Sequence, residues 1–249
     1  SGSEGYKATT ISETGDTFWY PYMATGSVSS GSSTLADQDT LSITDNTGTK
    51  TFTIGHTTSG SATRYFNTGD TFRKAFHWPA RNLNLMSLKY PASYSNPTSN
   101  NISISFWVRF DDASNNGYIF ESPGVVVEAV NASIMKISLI DGSSNSSTYT
   151  VSRPSVKQWH HYTIVINKTN VDAAPVVYKN GQSITVTSVA TAGTGAIANL
   201  TSIYIGDKSS ADVDFELQGS LQDFVVWNTG LNERDAVTLF NSGSWLDIH

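Results

Sequence analysis

Between Ile203 and Phe240 the chain carries a complete supersecondary unit with its own punctuation, and any fold must accommodate it. Ile203 and Ile205 flank Tyr204 and stop at Gly206, the alternation of a half-buried strand closing on a turn. After a polar loop Phe215 and Leu217 alternate again, Gly219 interrupts, and Leu221 to Trp227 is apolar enough to be a largely buried strand. A helix follows. Asn232 suits the N-cap, Glu233 and Asp235 put carboxylates where the macrodipole favours them, and Gly243 stands where a left-handed C-terminal residue is needed. Ala236, Val237, Leu239 and Phe240 give this helix one short apolar face, enough for a lid over the end of a sheet.

The preceding segments alternate with period two. In Ile102 to Phe110, Ile102, Ile104, Phe106, Val108 and Phe110 share one face, and Ser103, Ser105, Trp107 and Arg109 share the other. The first face predicts dry core, with Phe106 and Val225 in the same core. The second predicts a half-polar concave surface carrying an aromatic, or else a Trp107 covered by the N-terminal arm. Tyr118 to Phe120, Val125 to Val130 and Ile134 to Ile140 read as further strands, with Asp141-Gly142 opening a Ser-rich turn. Trp159 begins another. His160 and His161 are adjacent, so they point to opposite faces and cannot supply two metal ligands on one side; a strand-edge role is expected. Asn180-Gly181 predicts a type I′ hairpin. Upstream, Asp39 to Ile54 reads as a hairpin around Asp45-Asn46-Thr47-Gly48, and Asp70 to Trp78 fits a strand or a short helix. The aromatic cluster Phe18, Trp19, Tyr20 and Tyr22 is expected to pack on the main domain or on a neighbouring subunit, with a sugar platform as the alternative.

These motifs, in this order, carry a family resemblance. Y-I-G, a variable loop, F-x-x-x-G-x-x-x-D-F-x-x-W-N and a short helix resemble the last strands of laminin-G-like and pentraxin-like jelly rolls, within the concanavalin A-like lectin/glucanase superfamily. ISISFWVRF is similar to the early core strand of that family, and QWHHYTIVIN with VVYKNGQSI to its central strand and hairpin. The resemblance covers roughly residues 85 to 243. It implies an all-β fold, an antiparallel two-sheet jelly-roll sandwich over 86–249 with one short C-terminal helix. Residues 1–85 would form an N-terminal arm or small β-hairpin region used for assembly or anchoring. The upstream hairpin also resembles short modules of tailed-phage structural proteins.

Composition narrows the function. Charged residues are 14% and the net charge is -6, which argues against nucleic-acid partners. Without cysteine there is no disulfide framework and no thiolate metal site. No apolar run approaches the roughly 18 residues of a membrane span, and the N-terminus lacks the apolar core of a signal peptide. The five Asn-X-Ser/Thr sites are about what 18 Asn would give by chance, with Ser and Thr 64 of the 249 residues.

Two clusters could hold chemistry. Asp212, Asp214 and Glu216 at i, i+2 and i+4 of a strand would face one way, couple electrostatically and split into nucleophile, helper and acid. They resemble the catalytic strand of laminarinase-type glycoside hydrolases, with Asp212 where that pattern has Glu; a solvated edge strand is the favoured reading. Calcium, which the resemblance implies as a device for fixing rim loops, would draw on Asp111, Asp112, Asn115 and Asn116 or on Asp207, Asp212 and Asp214; plain turn residues are the favoured reading of both sets. The expectation is therefore a non-catalytic surface recognition module, a lectin-like adhesion domain binding a glycan or a surface protein. Trp107, Arg109, Asn115 and Asn116 are its candidate ligand contacts. The alternative is a decoration or assembly subunit of a phage capsid or tail, oligomerising through residues 1–85. Either would work outside the cell or on a virion surface, without inserting in a membrane.

Overall fold

The computed structural model describes residues 97–113, 117–201, 203–208 and 217–241 in full and, before them, the backbone of seven short strands. Those seven are β1 (Phe18–Tyr20), β2 (Ser32–Leu35), β3 (Ile43–Thr44), β4 (Thr51–Gly55), β5 (Ala62–Asn67), β6 (Ala75–Trp78) and β7 (Ser87–Lys89). Next come β8 (Asn101–Phe110), β9 (Gly117–Glu121), β10 (Val125–Ala129), β11 (Ile134–Ile140), β12 (Ser146–Ser152) and β13 (Trp159–Asn167). The chain ends with β14 (Val176–Lys179), β15 (Gln182–Ile184), β16 (Thr187–Thr191), β17 (Tyr204–Ile205), β18 (Gly219–Trp227) and α1 (Glu233–Phe240).

The strands form two nine-stranded antiparallel sheets. The first runs β15-β14-β13-β8-β18-β6-β5-β2, with β1 also on β18; the second runs β16-β12-β11-β10-β9-β17-β7-β4-β3. This is the two-sheet sandwich with one short C-terminal helix that the alternation and the resemblance predict. The expected hairpin is present as β3 and β4, paired Ile43↔Phe52, while its turn residues lie outside the described ones. Asp70 to Trp78 resolves as a strand over Ala75–Trp78. The strands of residues 1–85 pair within both sheets: Phe18, Trp19 and Tyr20 lie opposite Val226, Val225 and Phe224.

Between the layers the inward positions of β8 pack with Ile119, Phe120, Val125, Val127 and Met135 of the second sheet. Phe224 ties the layers together, its ring 6.3 Å from Phe106 and 5.2 Å from Phe120. The expectation that Phe106 and Val225 share a core is corrected. A bulge in β18 between Gln222 and Val225, with Asp223 at φ 49°, shifts the alternation by one residue. Leu221, Phe224 and Val226 then point inward, while Val225 and Trp227 point out. On that outer side they form a second small core with Leu231, Leu239 and Val165.

The helix α1 is the roof of this second core, so it lies on a face of the sheet and not over its end. Asn232 caps it as expected: its side chain accepts from Asp235 N at 3.2 Å and the Asp235 carboxylate accepts from Asn232 N at 2.9 Å. The left-handed terminal residue is Asn241, at φ 44°, in place of the expected Gly243, which lies outside the described residues. Asn shares with glycine a tolerance for this conformation, because its short amide bonds locally.

Candidate functional site

Over β8, β13 and β18 the outer face of the first sheet is covered by α1. Trp107 is 3% exposed, its ring 5.2 Å from His161 and 5.7 Å from Phe240 of α1. It gives α1 a seat and presents no stacking platform to solvent. Beside it, Trp227 Nε1 donates to Ser105 Oγ at 2.8 Å, and Ser103 Oγ donates to Thr229 O and accepts from Leu231 N. The half-polar pattern of β8 thus marks a face whose hydroxyls satisfy the connection into α1. Serine at a partly apolar surface reads alike whether the surface is wet or roofed, and the sequence offers no sign of which.

Arg109 and Asp111 form an ion pair at 3.5 Å. The carbonyls of Asp112, Ala113 and Asn131 accept from the Arg153 guanidinium, which also lies 4.2 Å over the Phe110 ring. Two arginines thus engage residues 111–113, the described part of the segment after β8. Asp207 follows β17 in the other sheet, 1% exposed, with Oδ1 accepting from Lys208 N at 2.7 Å. Among the described residues no three His, Asp or Glu side chains gather as a metal site. Asn115, Asn116, Asp212, Asp214 and Glu216 lie outside the described residues.

His160 and His161 sit on β13, which runs between β8 and β14, so the strand-edge expectation is corrected. They do face opposite sides: His161 packs under Trp107, while His160 joins Ser155 and Asn180 in a constellation the sequence did not reveal. Ser155 and His160 lie five residues apart, and Asn180 joins them through the β14–β15 hairpin. Asn180 Oδ1 accepts from His161 N at 2.9 Å, which turns the amide Nδ2 toward His160 Nδ1 at 3.1 Å. Nδ1 must then be the acceptor, and the ring proton sits on Nε2, 3.4 Å from Ser155 Oγ. Ser155 Oγ donates instead to Gln158 Oε1 at 2.9 Å. Burial, helped by Lys179, pushes the His160 pKa down and keeps the ring neutral. A histidine in this tautomer cannot draw a proton from the serine, so the trio pins the hairpin to β13. Asn180 and Gly181 both have positive φ, 52° and 77°, as the predicted type I′ turn requires.

On the outer face of the second sheet β16 is exposed throughout, while Val126 and Glu128 are buried. Register lines up Tyr118, Glu128, Lys136, Thr150 and Thr187 across β9, β10, β11, β12 and β16. A parallel row holds Tyr204, Glu121, Val126, Ser138 and Thr148. Glu128 is the hub of the first row, pairing with Lys136 and accepting from the Tyr118 hydroxyl. Burial first, then the charges of Glu128 and Glu121, push the Tyr118 pKa up to about 12.

At one end of this row lies a groove of about 590 Å³, within the roughly 300–1,000 Å³ of small-molecule sites. Its hydroxyls are Ser133, Thr150, Ser152, Ser183, Thr185 and Thr187, and its aliphatic side chains are Ile134 and Ile184; Val151 also lines it but is buried in the core. Both sheets build it, because the chain leaves the edge strand β15 at Ile184 and enters the other sheet's edge strand β16 at Thr187. Among the described residues none of these six side-chain hydroxyls is hydrogen-bonded within the protein. The buried hydroxyls of Ser103, Ser105, Ser122 and Ser147 are engaged within the protein, while that of buried Thr163 is not. The sequence shows only Ser and Thr at outward strand positions; their convergence needs the crossover between sheets.

Sandwich, register and terminal helix together define a lectin-like jelly roll. Residues 87–236 match the family model of laminin-G type described as the concanavalin A-like lectin/glucanases superfamily, and the chain belongs to that family. No curated protein matches it. Among solved structures it is similar to that of a botulinum neurotoxin type C that depends on two ganglioside molecules to enter cells, at 14% identity and TM-score 0.58 over 86% of this chain and 52% of that one. It is also similar to the botulinum neurotoxin DC binding domain in complex with rat synaptotagmin II (14%, 0.58, 85% and 51%) and in complex with SialylT (15%, 0.59, 85% and 51%). The chain spans about half the length of these structures, and at such identity the likeness speaks for the fold.

Proposed function

We propose that this domain is a non-catalytic recognition module that binds glycans in the groove between β15 and β16. The observation that carries the reading is the convergence of six unengaged hydroxyls around aliphatic patches in a cavity of ligand size. Sugars present hydroxyls that both donate and accept, together with C–H faces, and such a lining answers both. Neighbours of the same fold, one dependent on ganglioside molecules and one solved with rat synaptotagmin II, keep both partner classes open to this architecture. The groove favours the first, since a protein partner would call for a broader patch with aromatic anchors. A setting outside the cell or on a virion surface goes with this reading.

The test is a glycan array probed with the wild-type chain and with Thr187→Trp, a change on the fully exposed strand β16 that fills the groove. Binding should fall at least tenfold, about 1.4 kcal/mol, with an unchanged melting temperature. An array without a single binder, or a binder indifferent to the substitution, would end the proposal. The competing role, assembly through residues 1–85, is read by light scattering after size exclusion. A defined oligomer favours assembly, and a monomer favours the free module.

A further inference from the structure

Resting on that reading, the structure assigns the groove a ligand class: an uncharged glycan, bound without calcium. The lining holds no lysine, arginine or histidine, so a carboxylate or sulfate placed there would lose its water without gaining a counter-charge. The nearest cation along the ladder is Lys136, opposite Thr150, and its ammonium is held by Glu128. Arg153, next in sequence to Ser152, turns inward over Phe110 and binds three carbonyls. Both of these described cations are therefore committed elsewhere. The net charge of -6 adds a weak long-range term of the same sign.

The lining also contains no Asp or Glu. Calcium that bridges a protein to sugar hydroxyls needs six to eight oxygens, carboxylates among them, to offset its charge. Six neutral hydroxyls do not offset it. Recognition here runs through direct hydrogen bonds to hydroxyl pairs and through C–H contact with Ile134 and Ile184.

The deciding experiment is an array on which each neutral oligosaccharide stands beside its sialylated, sulfated and uronate counterparts, read in millimolar calcium and again in excess EDTA. The expected result is binding to neutral members at least tenfold above their acidic partners, equal in both buffers. Thr185→Lys, on an exposed groove residue, should narrow that ratio by supplying the missing cation. Preference for the acidic partner, or loss of binding in EDTA, overturns the inference while leaving glycan recognition standing. Binding to no member in either buffer removes the glycan reading itself.

Discussion

Asp141 shows how much of this molecule hangs on single polar side chains. It is 3% exposed, and its carboxylate accepts from Ser143 N, Asn145 N and Nδ2, and Thr194 N. One carboxylate thereby ties the β11–β12 turn to the loop after β16. These bonds, led by that from Thr194 and the Asn145 amide, pull its pKa from 3.8 down to about 2. A depressed folded value means the stabilisation is complete above about pH 4 and disappears as pH falls through about 2. Melting temperature measured from pH 5 to pH 1.5 should therefore fall steeply below pH 4, and Asp141→Asn should flatten that fall while lowering the plateau. An identical pH profile for the variant would contradict the assignment. Gly219 makes a comparable point through size: a Cβ there would stand 2.2 Å from the Arg109 carbonyl oxygen, so only glycine lets β18 and β8 meet at that point. The sequence marks Gly219 as a break; the structure makes it the first residue of a central strand.

At the scale of elements, α1 decides which surface is free. It is short, with only Ala236 and Leu239 buried, and its stability rests on its capping box and on the small core beneath. Asn232→Ala should cost about 1 kcal/mol. Hydrogen exchange is the suitable measurement: amides of 233–240 should exchange faster while those of β10–β12 keep their protection. Uniform acceleration across both sheets would show that α1 is inseparable from the main core. Gly181 reinforces the docking, since a Cβ on it would lie 3.0 Å from Val237 Cα; the β14–β15 turn is thus pressed against the helix. The strand alternation, hairpin and N-cap were all legible from local chemistry. The bulge at Asp223 was not, because a one-residue phase shift leaves a run such as FVVW equally apolar on both sides.

Across the whole molecule Phe224, Phe106 and Phe120 join the two layers in one aromatic cluster, so the layers are expected to unfold together. Phe224→Ala should cost about 3–5 kcal/mol, and near- and far-ultraviolet circular dichroism should lose their signals in one shared transition. Two separated transitions would mean that the layers unfold independently. By itself the chain determined what depends on neighbours in sequence: strands by alternation, turns by Asn-Gly, the helix by its cap, and the absence of thiol chemistry by composition. Tertiary structure decided what depends on which faces meet. Trp107 was roofed because a helix more than a hundred residues downstream lands on it, and six ordinary hydroxyls became a groove because the chain crosses between sheets at Thr185 and Val186. Local propensity acts over a few residues, whereas exposure is settled by whichever distant segment buries the most apolar surface, and that competition leaves no local trace.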